Sequence, residues 1–194
     1  MRAFIGSFLS SPNQDVSDTF GATIAGASQG ILRPVPRRSS HITHVFLGEI
    51  DDRLATAIAA DLDALMAPLA RVPFRLGHAE VLRGGREPRL VLAHVDAGRV
   101  EVADVARKIV DRLRRHAELA ALAPARSPHV TLARFRRGAG PVEARLVTEL
   151  LGRPRDDLPW HEDGLDEIQL VRSELTPTGP IYEVVARARP DSPA

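Results

Sequence analysis

Apolar positions along the chain change period repeatedly, and each change marks a new element. Residues 2–8 alternate apolar and small side chains, the period-two pattern of a strand. A polar Ser-Ser-Pro-Asn break at 10–13 leads into a helix-like stretch from about Asp15 to Gln29. Residues 31–40 hold Pro34 and Pro36 among arginines and read as a turn or extended connector. The run 41–48, rich in β-branched and aromatic residues and ending at Gly48, reads as a strand. Asp51 and Asp52 stand where a helix dipole favours acidic groups, and leucines and alanines recur at helical spacing from Arg53 to Leu69. Beyond Pro73, strand-like runs at 74–82 and 89–96 flank Arg83-Gly84-Gly85-Arg86-Glu87-Pro88, the composition of a hairpin. Helical period returns over 101–119, a strand is expected at 128–135 and a short helix at 141–151. Two final strands, 166–175 and 181–188, are joined through Thr176-Pro177-Thr178-Gly179-Pro180, and 191–194 are expected to form a disordered tail.

In this order of elements a similar unit occurs twice, and each copy carries a His-x-Thr triplet on its second strand. The expected fold class is α+β: two pseudo-symmetric lobes within one domain spanning 1–190, each an antiparallel sheet backed by helices, with an active-site groove between the sheets.

A length of 194 residues with 44% hydrophobic content supports a real core without staples. The absence of cysteine excludes disulfides, thiolate metal sites and a cysteine nucleophile. No run approaches the roughly 20 apolar residues of a membrane span, and the first residues lack the continuous apolar core of a signal peptide. The expectation is a cytoplasmic, soluble monomer with no membrane association and no obligate protein partner. Net charge is only +1, but its distribution is informative: Lys108 is the only lysine, Arg37 and Arg38 precede the first triplet, and Arg134, Arg136 and Arg137 follow the second. Arginine's planar fork suits phosphate oxygens.

Side chains alternate across a strand, so His41 and Thr43 share a face, as do His129 and Thr131, while Ile42 and Val130 point to the apolar side. With seven histidines and eight threonines in the chain, chance gives about 0.3 such triplets, so two are unusual.

His41-Ile42-Thr43-His44-Val45-Phe46-Leu47-Gly48-Glu49 and Ser127-Pro128-His129-Val130-Thr131-Leu132-Ala133-Arg134 are similar to the two motifs of the 2H phosphoesterase superfamily. The resemblance is to its RNA 2′,3′-cyclic phosphodiesterase branch, known also as 2′-5′ RNA ligases. Met1-Arg2-Ala3-Phe4-Ile5 resembles the family's opening, and Leu170–Leu175 with Gly179-Pro180-Ile181-Tyr182 its close. The chain departs from the pattern at His44, Val45 and Ser127. The resemblance implies opening of 2′,3′-cyclic phosphate RNA ends to 2′-phosphates, with 2′-5′ ligation as the reverse reaction.

Such a reaction needs a base for the attacking water, an acid for the departing ribose oxygen, and donors for the phosphoryl oxygens. His41 and His129 fit the first two roles and Thr43 and Thr131 the third, with no cofactor and no metal. The resemblance adds Arg134 as a phosphate contact, and Phe46 is a candidate for base stacking. Strict alternation, however, places both on the face opposite the triplets unless a bulge re-aims them. His44 reads as a satisfied buried histidine, and His78, His94, His116 and His161, lacking ligand-like spacing, as structural or exposed. Two other readings fit the same residues: a small-molecule phosphodiesterase acting on a cyclic nucleotide or an ADP-ribose cyclic phosphate, and a non-catalytic nucleotide- or RNA-binding module.

Overall fold

A computed structural model describes residues 1–85, 87–152, 158–176 and 179–191. Among them the chain forms β1 (Arg2–Phe8), α1 (Ser11–Ala27), β2 (Leu32–Pro34), β3 (His41–Glu49), α2 (Asp52–Met66), β4 (Val72–Gly84) and β5 (Glu87–Ala97). These are followed by α3 (Arg99–Leu113), β6 (His129–Phe135), α4 (Pro141–Leu151), β7 (Asp163–Leu165), β8 (Ile168–Thr176) and β9 (Gly179–Ala188). The polar break before α1 is in fact its first turn. Pro12 sits there because its missing N–H has no intrahelical partner to lose. α3 stops at Leu113 rather than running on to 119, and only a single 3₁₀ turn follows at Ala117–Leu119. β2 and β7 were not expected, since three residues are too few to show a period. Asp191 donates its backbone N–H to the Ala67 carbonyl, and the rest of the expected tail, 192–194, lies outside the described residues.

The α+β fold class is as expected. The strands run in the order β7-β4-β5-β6-β3-β1-β8-β9, with β2 added on β6, and every described pairing is antiparallel. One lobe is β3-β1-β8-β9 and the other β6-β5-β4-β7. The two sequence units do not each build one lobe. The hairpin that follows the first triplet, β4–β5, completes the lobe of the second, and the C-terminal hairpin β8–β9 completes the lobe of the first. The hydrophobic pattern identifies each strand but carries no label for its partner.

The helices cross over in the same way. α1 leaves β1 yet packs on β2 and β6, and α3 leaves β5 yet packs on β3; α2 backs β8 and β9, and α4 backs β4 and β5. α1 can approach closely because of Gly21, where a Cβ would stand 2.9 Å from the Leu132 carbonyl oxygen. α2 and α3 are tied by fully buried Asp61, which accepts from Arg112 at 3.0 Å, His116 at 2.7 Å and also Arg115. His116 is thus structural, as expected. No helix among the described residues is long and apolar enough to cross a membrane.

Between the lobes the sheets meet at one ladder pair, Ile42 with Val130, and both side chains are 0% exposed. Truncating a buried isoleucine costs about 2–5 kcal/mol. Ile42→Ala is therefore expected to lower the thermal midpoint by on the order of 10 °C in a chain of this size. A calorimetric scan within about 2 °C of the parent would show that this junction contributes little.

Candidate active site

Antiparallel pairing of Ile42 with Val130 places His41 across from Thr131 and Thr43 across from His129. Directly opposite residues share a face, so the four motif side chains meet on one surface while Ile42 and Val130 anchor the other. The chain thereby brings together the four residues that alternation had grouped only in pairs. Each imidazole is held the same way. His41 Nδ1 lies 2.6 Å from the Ser39 carbonyl and His129 Nδ1 lies 2.8 Å from that of Ser127. A carbonyl can only accept, so each neutral ring carries its proton on Nδ1 and leaves Nε2 with a free lone pair.

Phe46 and Arg134 also reach this face, against strict alternation, and the reason is a matched pair of bulges. Against β1, the partners jump from Ile5↔Val45 to Gly6↔Thr43, so His44 is an extra residue in β3. Against β5, they jump from Val91↔Ala133 to Leu92↔Thr131, so Leu132 is the extra residue in β6. His44 and Val45 are consequently both buried, as are Leu132 and Ala133, and the next residue in each strand turns back to the motif face. That residue is Phe46 in one strand and Arg134 in the other. The bulge immediately follows the threonine in both copies, so the pseudo-symmetry extends beyond the triplets.

An aromatic wall stands on the His41 side. Its ring stacks on Phe4 at 4.8 Å and 27°, lies 5.4 Å from Phe8, and meets Tyr182 edge-on at 5.2 Å. Phe46, 65% exposed, lies 6.5 Å beyond Phe4. Gly6 makes room for this cluster, since a Cβ there would stand 2.7 Å from the Ile42 carbonyl oxygen and 3.4 Å from the His41 ring. A cavity of about 460 Å³ opens here, with His41, Thr131, Arg134 and Tyr182 in its lining. A larger recess of about 1100 Å³ shares Tyr182 but neither motif histidine.

Burial pushes His41 down to about 4, opposed by the Ser39 carbonyl and assisted by the Arg134 and His129 charges. His129 is also lowered, by burial first, against the Ser127 carbonyl and with help from His94 and Arg134. Tyr182 is raised by burial, with Arg134 opposing through its charge and a hydrogen bond. Arg134 therefore acts on both imidazoles and on Tyr182. In the free site both imidazoles are neutral around pH 7.

Phe4 and Tyr182 were named only within the stretches that resemble the family's opening and close, and sequence reasoning gave neither a role at the site. Their signals were slight: Tyr182 is the only tyrosine, and Phe4 and Phe8 keep period two along β1.

The His129 side differs. His94 is its ladder partner, and His94 Nε2 lies 2.8 Å from Glu80 Oε1, with the His78 ring stacked on His94 at 4.9 Å. His78 and His94, read from the sequence as structural or exposed for want of ligand-like spacing, come together through cross-strand pairing rather than through spacing along the chain. His44 is only partly satisfied. Its Nε2 lies 3.0 Å from Ser7 Oγ, which itself donates to the Glu167 carbonyl, while its buried Nδ1 has no hydrogen-bond partner among the described residues. Burial keeps it neutral by pushing it down to about 4. His161 is exposed, and its backbone N–H donates to Asn13.

Residues 16–176 match the family model described as the 2′-5′ RNA ligase superfamily. A protein of Aquifex aeolicus named RNA 2′,3′-cyclic phosphodiesterase is 26% identical over 187 residues, 95% of each chain. One of the same name from Aeropyrum pernix is 29% identical over 158 residues, covering 79% of this chain and 84% of its own. Among solved structures, TT0787 of Thermus thermophilus superposes with a TM-score of 0.71 over 98% of both chains at 24% identity, which speaks to the fold alone. With paired triplets on the junction strands, this fold, and a family model matching most of its length, the chain belongs to the 2′-5′ RNA ligase superfamily.

Proposed function

We propose that this chain hydrolyses the 2′,3′-cyclic phosphate end of RNA to a 2′-phosphate, with His41 and His129 as paired proton-transfer groups and no metal ion in the reaction. The carrying observation is the junction geometry: two imidazoles on one face, each held through Nδ1, each with a bare Nε2 and a threonine of the other strand opposite. The names of the Aquifex aeolicus and Aeropyrum pernix relatives support the substrate class.

One imidazole takes a proton from water as the water oxygen bonds to phosphorus. The other, protonated, gives its proton to the 3′-oxygen as the P–O3′ bond breaks, leaving a 3′-hydroxyl and a 2′-phosphate. Thr43, Thr131 and Arg134 donate to the non-bridging oxygens, where charge is redistributed in the transition state. The bound phosphate anion favours a protonated imidazole and so offsets the lowering that burial and Arg134 impose on the empty site. Phe46 offers an exposed ring for a base near the reacting end. Run in the same direction with a 5′-hydroxyl in place of water, the 5′-oxygen bonds to phosphorus as the P–O3′ bond breaks, and the same groups form a 2′-5′ linkage and a 3′-hydroxyl.

Each of His41→Ala and His129→Ala is expected to lower kcat/KM on a cyclic-phosphate RNA by about 10²–10⁴-fold or more with the fold intact. EDTA is expected to leave the parent rate unchanged. Full activity in either variant sinks the mechanism, and loss in EDTA sinks its metal independence. Rates on an RNA oligomer should exceed those on a cyclic mononucleotide; equal rates would favour a small-molecule phosphodiesterase.

The pH profile carries a sign. The base is lost as it protonates on falling pH, and the acid is lost as it deprotonates on rising pH. Both free imidazoles are lowered, so the bell in kcat/KM should centre on the acidic side of about 6.5. Arg134→Gln removes a cation that lowers both, so both limbs should move upward as the rate falls. A downward shift would contradict the assigned electrostatics.

A further inference from the structure

We propose that His78, Glu80 and His94 form a binding site for a divalent transition cation of the zinc class, on the groove wall beside His129. The three side chains come from paired strands: Glu80 lies across from Leu92, His94 is two residues further along β5, and His78 sits in the irregular step between the Leu76↔Val95 and Ala79↔Ala93 pairs. One donor atom from each lies within 4.8 Å of the others. Donors on a single zinc ion are ~3.3 Å apart, given metal–nitrogen bonds of about 2.0–2.1 Å. One pair, His94 Nε2 and Glu80 Oε1 at 2.8 Å, already approaches that span. The His78 side chain, 63% exposed, has room to close the rest.

The donor chemistry selects the ion. Two imidazoles with one carboxylate suit zinc and its first-row neighbours rather than magnesium or calcium, which prefer all-oxygen sets. Three protein donors leave at least one coordination position open. A second feature points the same way. The Asp96 carboxylate lies 3.4 Å from His78 Nδ1, the arrangement in which an outer carboxylate holds a ligating histidine by its other nitrogen and turns Nε2 towards the ion. His94 is the most buried of the three, its side chain 17% exposed, and supplies the fixed point.

Position sets the ligand for the open coordination site. His94 and His129 are ladder partners on one face, so the ion stands beside the reacting phosphate without touching either reacting imidazole's place in the ladder. An anionic phosphate oxygen of a nucleic-acid strand has the charge and hardness to fill it. The hydrolytic chemistry proposed above does not pass through this ion, so removing the ion and disabling the reaction are separate events.

The test is metal binding by the full chain after stripping with chelator. Zinc is titrated calorimetrically, cobalt is followed by its visible ligand-field bands, and crystals soaked in zinc are measured at the zinc absorption edge. Roughly one equivalent is expected, with an anomalous peak between His78, Glu80 and His94. Affinity should fall about 10-fold or more in each of His78→Ala and Glu80→Gln, and stay at the parent value in a His41→Ala, His129→Ala double variant. Both test variants change exposed side chains, and an unchanged metal-free thermal midpoint certifies their fold. Absence of saturable binding overturns the proposal. So does binding that survives the cluster variants and disappears in the double variant, which would place the ion on the reacting histidines. EDTA-insensitive hydrolysis with intact zinc binding supports both proposals; EDTA-sensitive hydrolysis with binding at the cluster overturns only the metal-free mechanism.

Discussion

A single antiparallel contact, Ile42 on Val130, sets the spacing of everything that could do chemistry in this protein. Both side chains are fully buried, and the pair fixes which residue of one strand faces which residue of the other. A slip of one residue would turn either triplet into the core. The contact is short, so it depends on elements that cannot slide: α1 crosses from β1 to the far lobe, α3 crosses back, and the two hairpins are exchanged between lobes. The buried ion cluster on Asp61 then fixes α2 against α3. The interlocking is what gives two half-sites on different strands a fixed separation.

The same burial that fixes the imidazoles also tunes them. Removed from water and placed near the Arg134 charge, both rings favour their neutral form, and the backbone carbonyls two residues upstream oppose that shift while choosing the tautomer. Such a site is poised for an anion: a bound phosphate restores the balance that burial disturbs. The two walls of the groove are not equivalent. Phe4, Phe8 and Tyr182 surround His41 with rings, whereas His129 has His94 as its ladder partner, with Glu80 and His78 against His94. Pseudo-symmetry of the backbone therefore carries an asymmetric surface.

Much was legible in the chain itself. Alternation grouped His41 with Thr43 and His129 with Thr131, and the change between period two and period 3.6 located the main strands and the four α-helices of the described residues, although α1 began four residues earlier than its polar first turn suggested. The α+β class and the repeated unit followed from the order of those elements, because amphipathic strands and helices have few ways to bury their apolar faces. These features are local: they depend on neighbours along the chain.

Features set by partners across the sheet were not legible. The bulges at His44 and Leu132 exist only relative to β1 and β5, and without them Phe46 and Arg134 belong to the wrong face. The exchange of hairpins between lobes, the stacking of Phe4 and Tyr182 on His41, and the meeting of His78 and Glu80 with His94 are likewise decided by strand pairing. By itself the sequence determined which face of its own strand each triplet takes, since that follows from backbone geometry. Only the tertiary structure decided which triplet stands opposite which and what surrounds them, because register between strands is set by the packing of the whole core.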